Sequence, residues 1–240
     1  MASLGASGHM RSGPSRWERA YSSFQTADEE IEKFLRRYRS LGIDRWDKGL
    51  SVLEVCAGRG SILKAWHQLG FPDVVGVDFS EALAGGYRGP GHMVLGDARA
   101  LPFATASRDV VVVQGGLHHL ATFEDVGAAL AEMARVAKAD GRIVIIEPWR
   151  TPFLRMVNWL VAQPIVRRWS VKLDALATMN EEEYPLYDRW LDSPETVLAL
   201  VRGALIPSTL RRRWGKILLI GRPRPAASPT TREREAEGRA

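Results

Sequence analysis

A glycine-containing segment and two acidic residues have the types and spacing of a ligand site. The apolar stretch Ser51–Cys56 runs into Gly58 and Gly60 and then into a helical pattern. Glycines let a backbone approach a ligand closely, and the free N–H groups at a helix start favour an anionic group. Asp78 and Asp97 follow two further apolar stretches. Carboxylates at strand ends can accept hydrogen bonds from a ribose, so the pattern predicts a nucleoside site.

The elements that must position these residues alternate between strand and helix patterns. Helices are predicted after the capping box that begins at Thr26, over the apolar spacing Val126 to Ala137, and from Ser193 onward. A turn is predicted at Asp140-Gly141, and a hairpin at 205–220 through residues 213–215. Strands are predicted at Ser51–Cys56, Val74–Val77, His92–Leu95, Val110–Val113 and Arg142–Ile146. Strands separated by helices favour a doubly wound, mostly parallel α/β sheet.

Charge is concentrated at one end of the chain. The 240 residues carry a net charge of +5, but residues 211–240 hold nine Lys/Arg against three Glu. The preceding residues are therefore nearly neutral, whereas nucleic-acid binders usually carry basic charge on the folded body. We expect a solvated charge run here and no nucleic-acid partner.

Composition also limits the cellular context. The single cysteine, Cys56, excludes an intrachain disulfide and a multi-cysteine metal cage. The stretch from Met156 to Val166 is far shorter than a membrane span, and residues 1–15 lack the apolar core of a secretory signal. We therefore expect a cytoplasmic protein, with at most weak contact to a membrane surface.

At this length one large domain is expected. Residues 1–15 and 222–240 are predicted to be a disordered leader (or a sequence left by cloning) and a disordered tail. Residues 16–221 are predicted to form a single domain. Its core would comprise 50–148 and 193–221, and residues 151–192 would be a helical lid insertion.

The motifs together resemble the class I S-adenosylmethionine-dependent methyltransferases, in particular the small-molecule, UbiE-like methyltransferase type 11 group. Their order and spacing fit over about residues 50–148, and WGKILLIGR (214–222) resembles the last strand of that family. The matching pieces are VLEVCAGRG (52–60), VVGVDFS (74–80), GDARALPF (96–103), RDVVVVQGGLHHL (108–120) and EMARVAKADGRIVIIEP (132–148). The resemblance implies a Rossmann-like, mostly parallel seven-stranded sheet with an antiparallel last strand, and S-adenosyl-L-methionine as cofactor.

The resemblance also implies roles for the first glycine loop. Glu54 is the acidic residue of the first motif, and Gly58 and Gly60 line the methionine moiety. Cys56 stands where the family usually has its first glycine, so the loop is expected to bind the cofactor if Cys56 has ordinary dihedral angles. A catalytic thiol is disfavoured, because a thiol in the cofactor loop cannot face the acceptor.

The later motifs supply the nucleoside contacts implied by the resemblance. Asp78 binds the ribose, and Phe79 packs on the adenine face. Asp97 accepts a hydrogen bond from the adenine amino group, and Ala98 offers its backbone N–H to the ring. Gln114 lies where a backbone carbonyl usually meets the methionine ammonium group.

Two adjacent histidines, His118 and His119, follow the fourth strand beside the expected position of the sulfonium. A neutral histidine can take a proton from the acceptor during methyl transfer. Adjacent residues are expected to point in different directions, so only one should be functional, and His118 is preferred. Capping or packing of the nearby helix remains the alternative for both residues.

An aromatic-rich segment interrupts the strand–helix pattern between 149 and 190. We expect these side chains to be divided between an apolar acceptor pocket and ordinary helix packing. Glu181, Glu182 and Glu183 are expected to be a solvated helix face, and no metal site is predicted. The aromatic residues are Trp149, Phe153, Trp159, Trp169, Tyr184, Tyr187 and Trp190.

The leading hypothesis is therefore methyl transfer to an oxygen, nitrogen or carbon atom of a small apolar or aromatic acceptor by in-line displacement, in a monomer or homodimer. A nicotinamide dehydrogenase is disfavoured because Cys56–Ser61 is not G-x-G-x-x-G. An RNA methyltransferase is the second hypothesis, and the neutral body and Gln-Gly-Gly-Leu after the fourth strand argue against it. A non-catalytic binder of S-adenosylmethionine with the same fold is the third.

Overall fold

A computed structural model describes residues 16–225, so the predictions for residues 1–15 and for 226–240 of the predicted tail concern parts of the chain outside it. The predicted tail starts too early at 222, because Arg222 and Pro223 pair with Ile206 and Leu205 in the last hairpin of the sheet. One sheet organises the described residues. Its strands are β1 (Val52–Val55), β2 (Val74–Asp78), β3 (His92–Leu95), β4 (Arg108–Gln114), β5 (Ala137–Pro148), β6 (Leu205–Arg213) and β7 (Lys216–Pro223). Their order is β3-β2-β1-β4-β5-β7-β6. The first five strands are parallel, and β7 is antiparallel to both β5 and β6. The predicted α/β fold class is confirmed.

Ten helices and two short 3₁₀ helices connect and cover the strands between residues 16 and 225. The helices are α1 (Arg16–Phe24), α2 (Ala27–Ser40), α3 (Ser61–Gln68), α4 (Glu81–Gly86), α5 (Phe123–Val136), α6 (Pro152–Val161), α7 (Pro164–Arg167), α8 (Val171–Glu183), α9 (Leu186–Asp192) and α10 (Pro194–Ala204). The 3₁₀ helices are Ile43–Arg45 and Leu117–His119. Within this described range, no helix has both the length and the apolar character needed to cross a membrane.

Helix ends follow the local sequence. Thr26 caps α2 in the predicted capping box, with its side chain accepting from Glu29 N–H and Glu29 accepting from Thr26 N–H. Pro194 occupies the first turn of α10, as predicted, although the side chain of Ser193 makes no capping hydrogen bond. Pro164 begins α7 and separates it from α6, because proline lacks the N–H that a continued helix requires.

Both faces of the sheet are covered, which explains the absence of polar alternation in its central strands. Every residue of β1 and β2 is buried. Side chains on one face of the sheet pack with α5, α9 and α10, and those on the other face pack with α2 and α3. The strand order reverses between β1 and β4, so their carboxyl ends open a crevice where ligands bind in such sheets.

The helix–strand boundary after α5 differs from the prediction. Ala137 was expected on the helix and Arg142 at the start of a strand, but β5 already begins at Ala137. The pairing of β4 with β5 then shifts, from Arg108 opposite Ala137 to Val110 opposite Arg142. A Cβ atom on Gly141 would lie 2.8 Å from the carbonyl oxygen of Lys138. The predicted turn is therefore an irregular segment inside the strand, and Gly141 fits it because it has no side chain.

Four helices, α6 to α9, fill the interval that the sequence separated from the core. Trp190 on α9 is fully buried, and its indole Nε1–H donates to the carbonyl oxygen of Pro148 at 2.8 Å. Arg189 donates to the carbonyl oxygens of Leu120 and Ala121. These contacts attach α9 to the end of β5 and to the turn after β4.

We expect Trp190→Phe to lower the free energy of unfolding by about 1–3 kcal/mol, because it leaves the buried Pro148 carbonyl without its donor. Urea unfolding measures the change. Trp159→Phe is the matched control: this side chain is 64% exposed, and a change within about 0.5 kcal/mol is expected there. Equal effects of the two substitutions would contradict the anchoring role of Trp190.

Candidate active site

Glu54 lies at the end of β1 and is completely buried. Its Oε2 accepts hydrogen bonds from the Tyr38 hydroxyl at 3.2 Å and from the Trp66 indole at 2.9 Å. Its Oε1 has no hydrogen-bond partner among residues 16–225. Burial raises the pKa of Glu54 to about 8, although the hydrogen bonds from Trp66 and Tyr38 oppose that rise. The acid that the resemblance placed in the first motif is thus a buried group with one oxygen left to accept a donor.

The loop after β1 alternates into the left-handed region at Cys56 (φ 58°), Gly58 (φ 55°) and Gly60 (φ 79°). The expectation of ordinary dihedral angles at Cys56 is therefore wrong. Left-handed backbone costs a residue with a Cβ roughly 1–2 kcal/mol, and the surrounding structure must impose it. Gly116 packs against this residue, because a Cβ atom there would lie 2.4 Å from Cys56 Cβ. Burial raises the pKa of the Cys56 thiol, which keeps it from acting as a thiolate nucleophile.

Gly58 and Gly60 differ in what surrounds them. A Cβ atom on Gly58 would meet nothing within 4 Å, so this glycine faces open space where a ligand can approach the backbone. A Cβ atom on Gly60 would lie 2.3 Å from the ring of Tyr87. Gly60 therefore makes room for Tyr87 in addition to meeting the dihedral requirement of the loop.

Asp78 connects β2 to the glycine loop. Its Oδ2 accepts from Gly58 N–H at 2.8 Å and its Oδ1 from Ser80 N–H at 3.0 Å. Each carboxylate oxygen has a second lone pair, so these bonds leave acceptor capacity for a diol. The neighbouring Phe79 side chain is 82% exposed. An exposed aromatic ring beside a buried carboxylate fits the predicted pair of a ribose contact and an adenine contact.

Asp97 is engaged in a local ion pair. The Arg99 guanidinium bonds both oxygens of Asp97, at 2.7 to 3.0 Å, and also donates to Asp125 at 2.8 Å. The hydrogen bonds from Arg99 lower the pKa of Asp97, so its carboxylate is an acceptor. Ala98 is buried beside it. The structure thus brings Asp97 and Ala98 to the carboxyl end of β3, as predicted. The Arg99 guanidinium uses part of the hydrogen-bonding capacity of the Asp97 carboxylate.

Gln114 ends β4 next to the end of β1. Its Oε1 accepts from the Arg37 guanidinium at 2.6 Å, whereas its buried Nε2 has no hydrogen-bond partner in the described part of the chain. Buried polar atoms are normally paired, so the free Nε2 of Gln114 and the free Oε1 of Glu54 indicate a missing polar ligand. Gln114 Nε2 can donate to the carboxylate of an amino acid moiety, and Glu54 Oε1 can accept from its ammonium group.

His118 forms a buried pair with Glu147 at the end of β5. Its Nδ1 lies 2.8 Å from Glu147 Oε2, and the other oxygen of Glu147 accepts from the N–H groups of Gly116 and Leu117, both at 2.9 Å. Burial opposes the charge on His118, but its hydrogen bond with Glu147 and the nearby carboxylate of Glu183 raise the pKa above the ordinary 6.5. A carboxylate only accepts, so Nδ1 carries the hydrogen and Nε2 of the neutral ring has a lone pair for a proton.

The two histidine rings lie side by side, with centroids 4.0 Å apart. Their Nε2 atoms lie 3.8 and 3.9 Å from the carboxylate oxygens of Glu183. The expectation that adjacent residues point apart is wrong, because the 3₁₀ turn at Leu117–His119 allows both rings to face α8. Desolvation and the neighbouring His118 lower the pKa of His119 to about 4, so this ring is neutral near pH 7.

Glu183 also corrects the expectation of a purely solvated acidic face. Glu181 and Glu182 are exposed and pair with Arg16, but Glu183 faces the histidines. Ligand atoms of His118, His119 and Glu183 lie within 4.8 Å of one another, close enough to hold a metal ion. The absence of a metal site therefore stays a prediction.

Several groups at the site were missed at the sequence level. Glu147 directly follows the predicted strand Arg142–Ile146, and its position after four apolar residues was the available signal. Arg37 and Lys216 come from α2 and β7, and nothing local in the sequence marks them. Desolvation, followed by the charge of Arg37, lowers the pKa of Lys216 to about 7. Around His118 and His119, the site therefore places the carboxyl groups of Glu147 and Glu183, with the basic groups of Arg37 and Lys216 nearby.

Comparison with known proteins shows which family the chain belongs to. The family model described as "Methyltransferase domain" matches residues 53–145. A demethylmenaquinone methyltransferase of Thermobifida fusca is 33% identical over 164 residues, which are 62% of this chain and 67% of that protein. The ubiquinone/menaquinone biosynthesis C-methyltransferase UbiE of Geobacter sulfurreducens is 34% identical over 145 residues, covering 51% of this chain and 55% of that protein. For several such relatives the chain spans about half of their length.

A solved structure shows the same fold. The PH0226 protein of Pyrococcus horikoshii OT3 superposes with a TM-score of 0.65 at 18% identity, over 88% of this chain and all of that one. The chain belongs to the class I S-adenosylmethionine-dependent methyltransferases that act on small molecules. It is an enzyme of this family, and S-adenosylmethionine is its methyl donor.

Glu54→Gln tests the buried acid at the base of the site. Folded Glu54 holds its proton more tightly than the unfolded chain does, so its contribution to stability is lost as the pH rises from 4.5 to about 8. Glutamine does not ionise, and the fall in unfolding free energy across that window should be smaller in the variant. Urea unfolding at a series of pH values measures it. The exposed Glu32→Gln should reproduce the wild-type slope, and an unchanged slope in Glu54→Gln would contradict the burial argument.

Proposed function

We propose that this enzyme methylates a hydroxylated aromatic ring of the quinol class, at a ring carbon, with His118 as the general base. The observation that carries the proposal is the buried His118–Glu147 pair, with Nδ1 and Oε2 2.8 Å apart beside the glycine loop. The relatives' names support the acceptor class, since they refer to demethylmenaquinone and to C-methylation. When bound, S-adenosylmethionine supplies a methyl group on a positively charged sulfur that is displaced in line.

The cofactor would be held by the groups that the structure leaves able to bind it. Asp78 and Phe79 would take the nucleoside, with Asp97 and Ala98 at the adenine end. The unpaired atoms of Glu54 and Gln114 fit the amino acid end. Gly58 permits close approach because no atom lies where its side chain would be.

His118 would take the phenolic proton onto Nε2, and the O–H electron pair would then enrich the ring carbon that attacks the methyl group, while the bonding pair of the donor's S–CH3 bond would stay on sulfur. The methylated carbon would then lose its hydrogen as a proton, and the oxygen would regain one, which restores the aromatic ring. Glu147 holds the ring through Nδ1 and stabilises the positive charge that His118 acquires. His118 Nε2 lies 3.8 Å from Glu183, so the receiving atom faces the α8 side of the site. The positive charge of Arg37 contributes, after desolvation, to the lowered pKa of Lys216. Together the two groups would stabilise a phenolate oxygen.

Residues 16–221 would act as one methyltransferase domain in which 151–192 is a lid over the acceptor. Tyr187 supports this role, because its ring meets His118 edge-on with centroids 5.9 Å apart. Trp190 lies 6.4 Å from the same ring. Aromatic side chains at this distance from the base form an apolar wall that suits a planar acceptor. Closure of the lid would exclude water from the reacting atoms.

Asp78→Ala should weaken S-adenosylmethionine binding by about 1.5–3 kcal/mol, the usual value of charge-assisted hydrogen bonds. Isothermal calorimetry gives the affinity. Asp73→Ala is the matched control, because Asp73 directly precedes β2, is half exposed and pairs with Arg108. Unchanged affinity in Asp78→Ala would remove this residue from the cofactor site.

His118→Ala should lower turnover by roughly 10²–10⁴ while cofactor affinity stays nearly unchanged. Radiolabelled methyl transfer to a reduced short-chain naphthoquinone measures turnover. His119→Ala is the matched control, because it removes a neighbouring imidazole whose side chain is 43% exposed and keeps the His118–Glu147 hydrogen bond. A larger loss in a well-folded His119→Ala would show that His119 is the base.

The pH profile separates a base from a packing residue. A general base works in its neutral form, and the pKa of His118 is raised, so kcat/KM should fall with decreasing pH with its midpoint above 6.5. Glu147→Gln removes the charge that raises this pKa, and the midpoint should move to lower pH as turnover also falls. A profile that does not move in Glu147→Gln would contradict the coupling of the two residues.

A further inference from the structure

Helix α6 carries apolar side chains on the side that faces away from the protein. Its inner stripe is formed by Leu154, Asn158 and Val161, which are spaced four and three residues apart. Leu154 packs against the core, and Asn158 Oδ1 accepts from the side chain of Asn180 at 3.4 Å. The outer side bears four exposed large apolar residues. They are Phe153, Met156, Trp159 and Leu160.

The turn between β6 and β7 extends this apolar side. Thr151 Oγ1 caps α6 and also accepts from Gly215 N–H at 3.1 Å, which fixes the start of the helix to the turn. The Phe153 and Trp214 rings then meet edge to face at 5.1 Å. We define the α6–turn face as Phe153, Met156, Trp159, Leu160 and Trp214.

Trp214 is an unfavourable residue for its position. Trp214 (φ 51°) and Gly215 (φ 73°) form a two-residue hairpin turn with positive φ at both positions, for which Asn-Gly is the preferred pair. Positive φ is unfavourable for a bulky residue such as tryptophan. The Trp214 ring is nevertheless 63% exposed, so it gains little from burial. Burial in the protein core therefore does not explain the residue. An exposed aromatic ring held at the tip of a strained turn points to a partner outside the chain.

The charges around the α6–turn face are basic. Residues 149–173 contain five Lys/Arg and no Asp or Glu, and residues 205–216 contain four Lys/Arg and no Asp or Glu. Arg155, Arg168 and Arg213 have no acidic group within 4 Å among residues 16–225. The Arg213 guanidinium lies 5.5 Å from the centre of the Trp214 ring. Tryptophan, aliphatic and arginine side chains side by side are the composition of an interfacial, membrane-binding surface.

We propose that the α6–turn face docks on the head-group region of an anionic lipid bilayer. Its aromatic and aliphatic side chains would enter the interface, while the surrounding arginines would meet lipid phosphates. A second copy of the chain is a poorer occupant. A two-fold symmetric contact would bring the same unpaired arginines of both copies together, and like charges oppose such an interface.

The α6–turn face and the His118–Glu147 pair lie at neighbouring strands of the sheet. Lys216 follows the turn and pairs with Pro148, which is adjacent to Glu147 on β5. The α6–turn face therefore lies at the same edge of the sheet as the His118–Glu147 pair. An apolar acceptor dissolved in the bilayer would enter the protein at the edge where the base lies, without crossing water.

Flotation of the full chain with lipid vesicles tests the docking. Binding should be strong to vesicles of phosphatidylcholine mixed with phosphatidylglycerol and weak to phosphatidylcholine alone. Trp159→Ser combined with Trp214→Asn should reduce binding at least about tenfold, and Arg155→Gln about fivefold. Ile206→Ser and Arg202→Gln are matched controls: Ile206 is exposed at the opposite end of the same hairpin, and neither variant should change binding.

Trp214→Asn also separates docking from folding. Asn-Gly suits the turn, so this variant should raise the unfolding midpoint while it weakens vesicle binding. S-adenosylmethionine affinity and turnover with a water-soluble acceptor should not change in it. Flotation requires neither bound cofactor nor turnover, so its outcome is independent of the proposed function.

Two results would overturn the proposal. The first is equal flotation of the wild type and of the Trp159→Ser, Trp214→Asn variant, or no flotation with anionic vesicles. The second is a wild-type dimer in sedimentation velocity that becomes a monomer in the variant, without vesicle binding in either. That result would assign the face to a second copy of the chain.

Discussion

A single buried carboxylate, Glu147 near the end of β5, connects the sheet to the 3₁₀ turn Leu117–His119, which we call the histidine turn. Glu147 has no solvent exposure, and its two oxygens accept from Gly116 N–H, Leu117 N–H and His118 Nδ1. An isolated buried charge would be very costly, and these three donors offset its desolvation. Burial alone would raise the pKa of Glu147, but the hydrogen bond and charge of His118 and the two N–H groups hold it below the ordinary value. The turn after β4 therefore has to adopt the conformation that satisfies this carboxylate.

The next residue of the same strand fixes the helical segment. The carbonyl oxygen of Pro148 accepts from Trp190, so one strand end contacts both His118, through Glu147, and helix α9. Arg189 beside Trp190 donates to the carbonyl oxygens of Leu120 and Ala121, which directly follow the histidine turn. Movement of α9 is thus coupled to the position of His118 through two neighbouring residues. These contacts hold α9, whereas α6 and α7 bury fewer side chains.

In the loop after β1, packing overrides the backbone preference of a single residue, Cys56. A cysteine occupies a left-handed position that glycine would adopt without cost, and Gly116 leaves the space that its side chain needs. The loop is tied to β2, since Gly58 N–H donates to Asp78 Oδ2 at 2.8 Å. The cysteine side chain is therefore accommodated by the glycine packed against it.

The sequence by itself determined what depends on near neighbours. The central strands are recognisable because both faces are buried, which makes Val110–Val113 continuously apolar. The capping box at Thr26 and the break at Pro164 follow from hydrogen bonds within one turn of helix. The glycine loop, Asp78 and Asp97 were placed at strand ends by the order of the motifs, and the resemblance to a known family supplied their roles.

Only the tertiary structure decided which distant groups meet at the site. Arg37 reaches Gln114 across 77 positions of sequence, and Glu183 approaches histidines that precede it by more than 60. Such pairs depend on how α2 and α8 pack relative to the sheet, and no local sequence pattern indicates this packing. The same reason explains the two errors at single residues. The φ of Cys56 and the common direction of His118 and His119 are imposed by the groups packed around them, which a sequence read along one chain does not bring together.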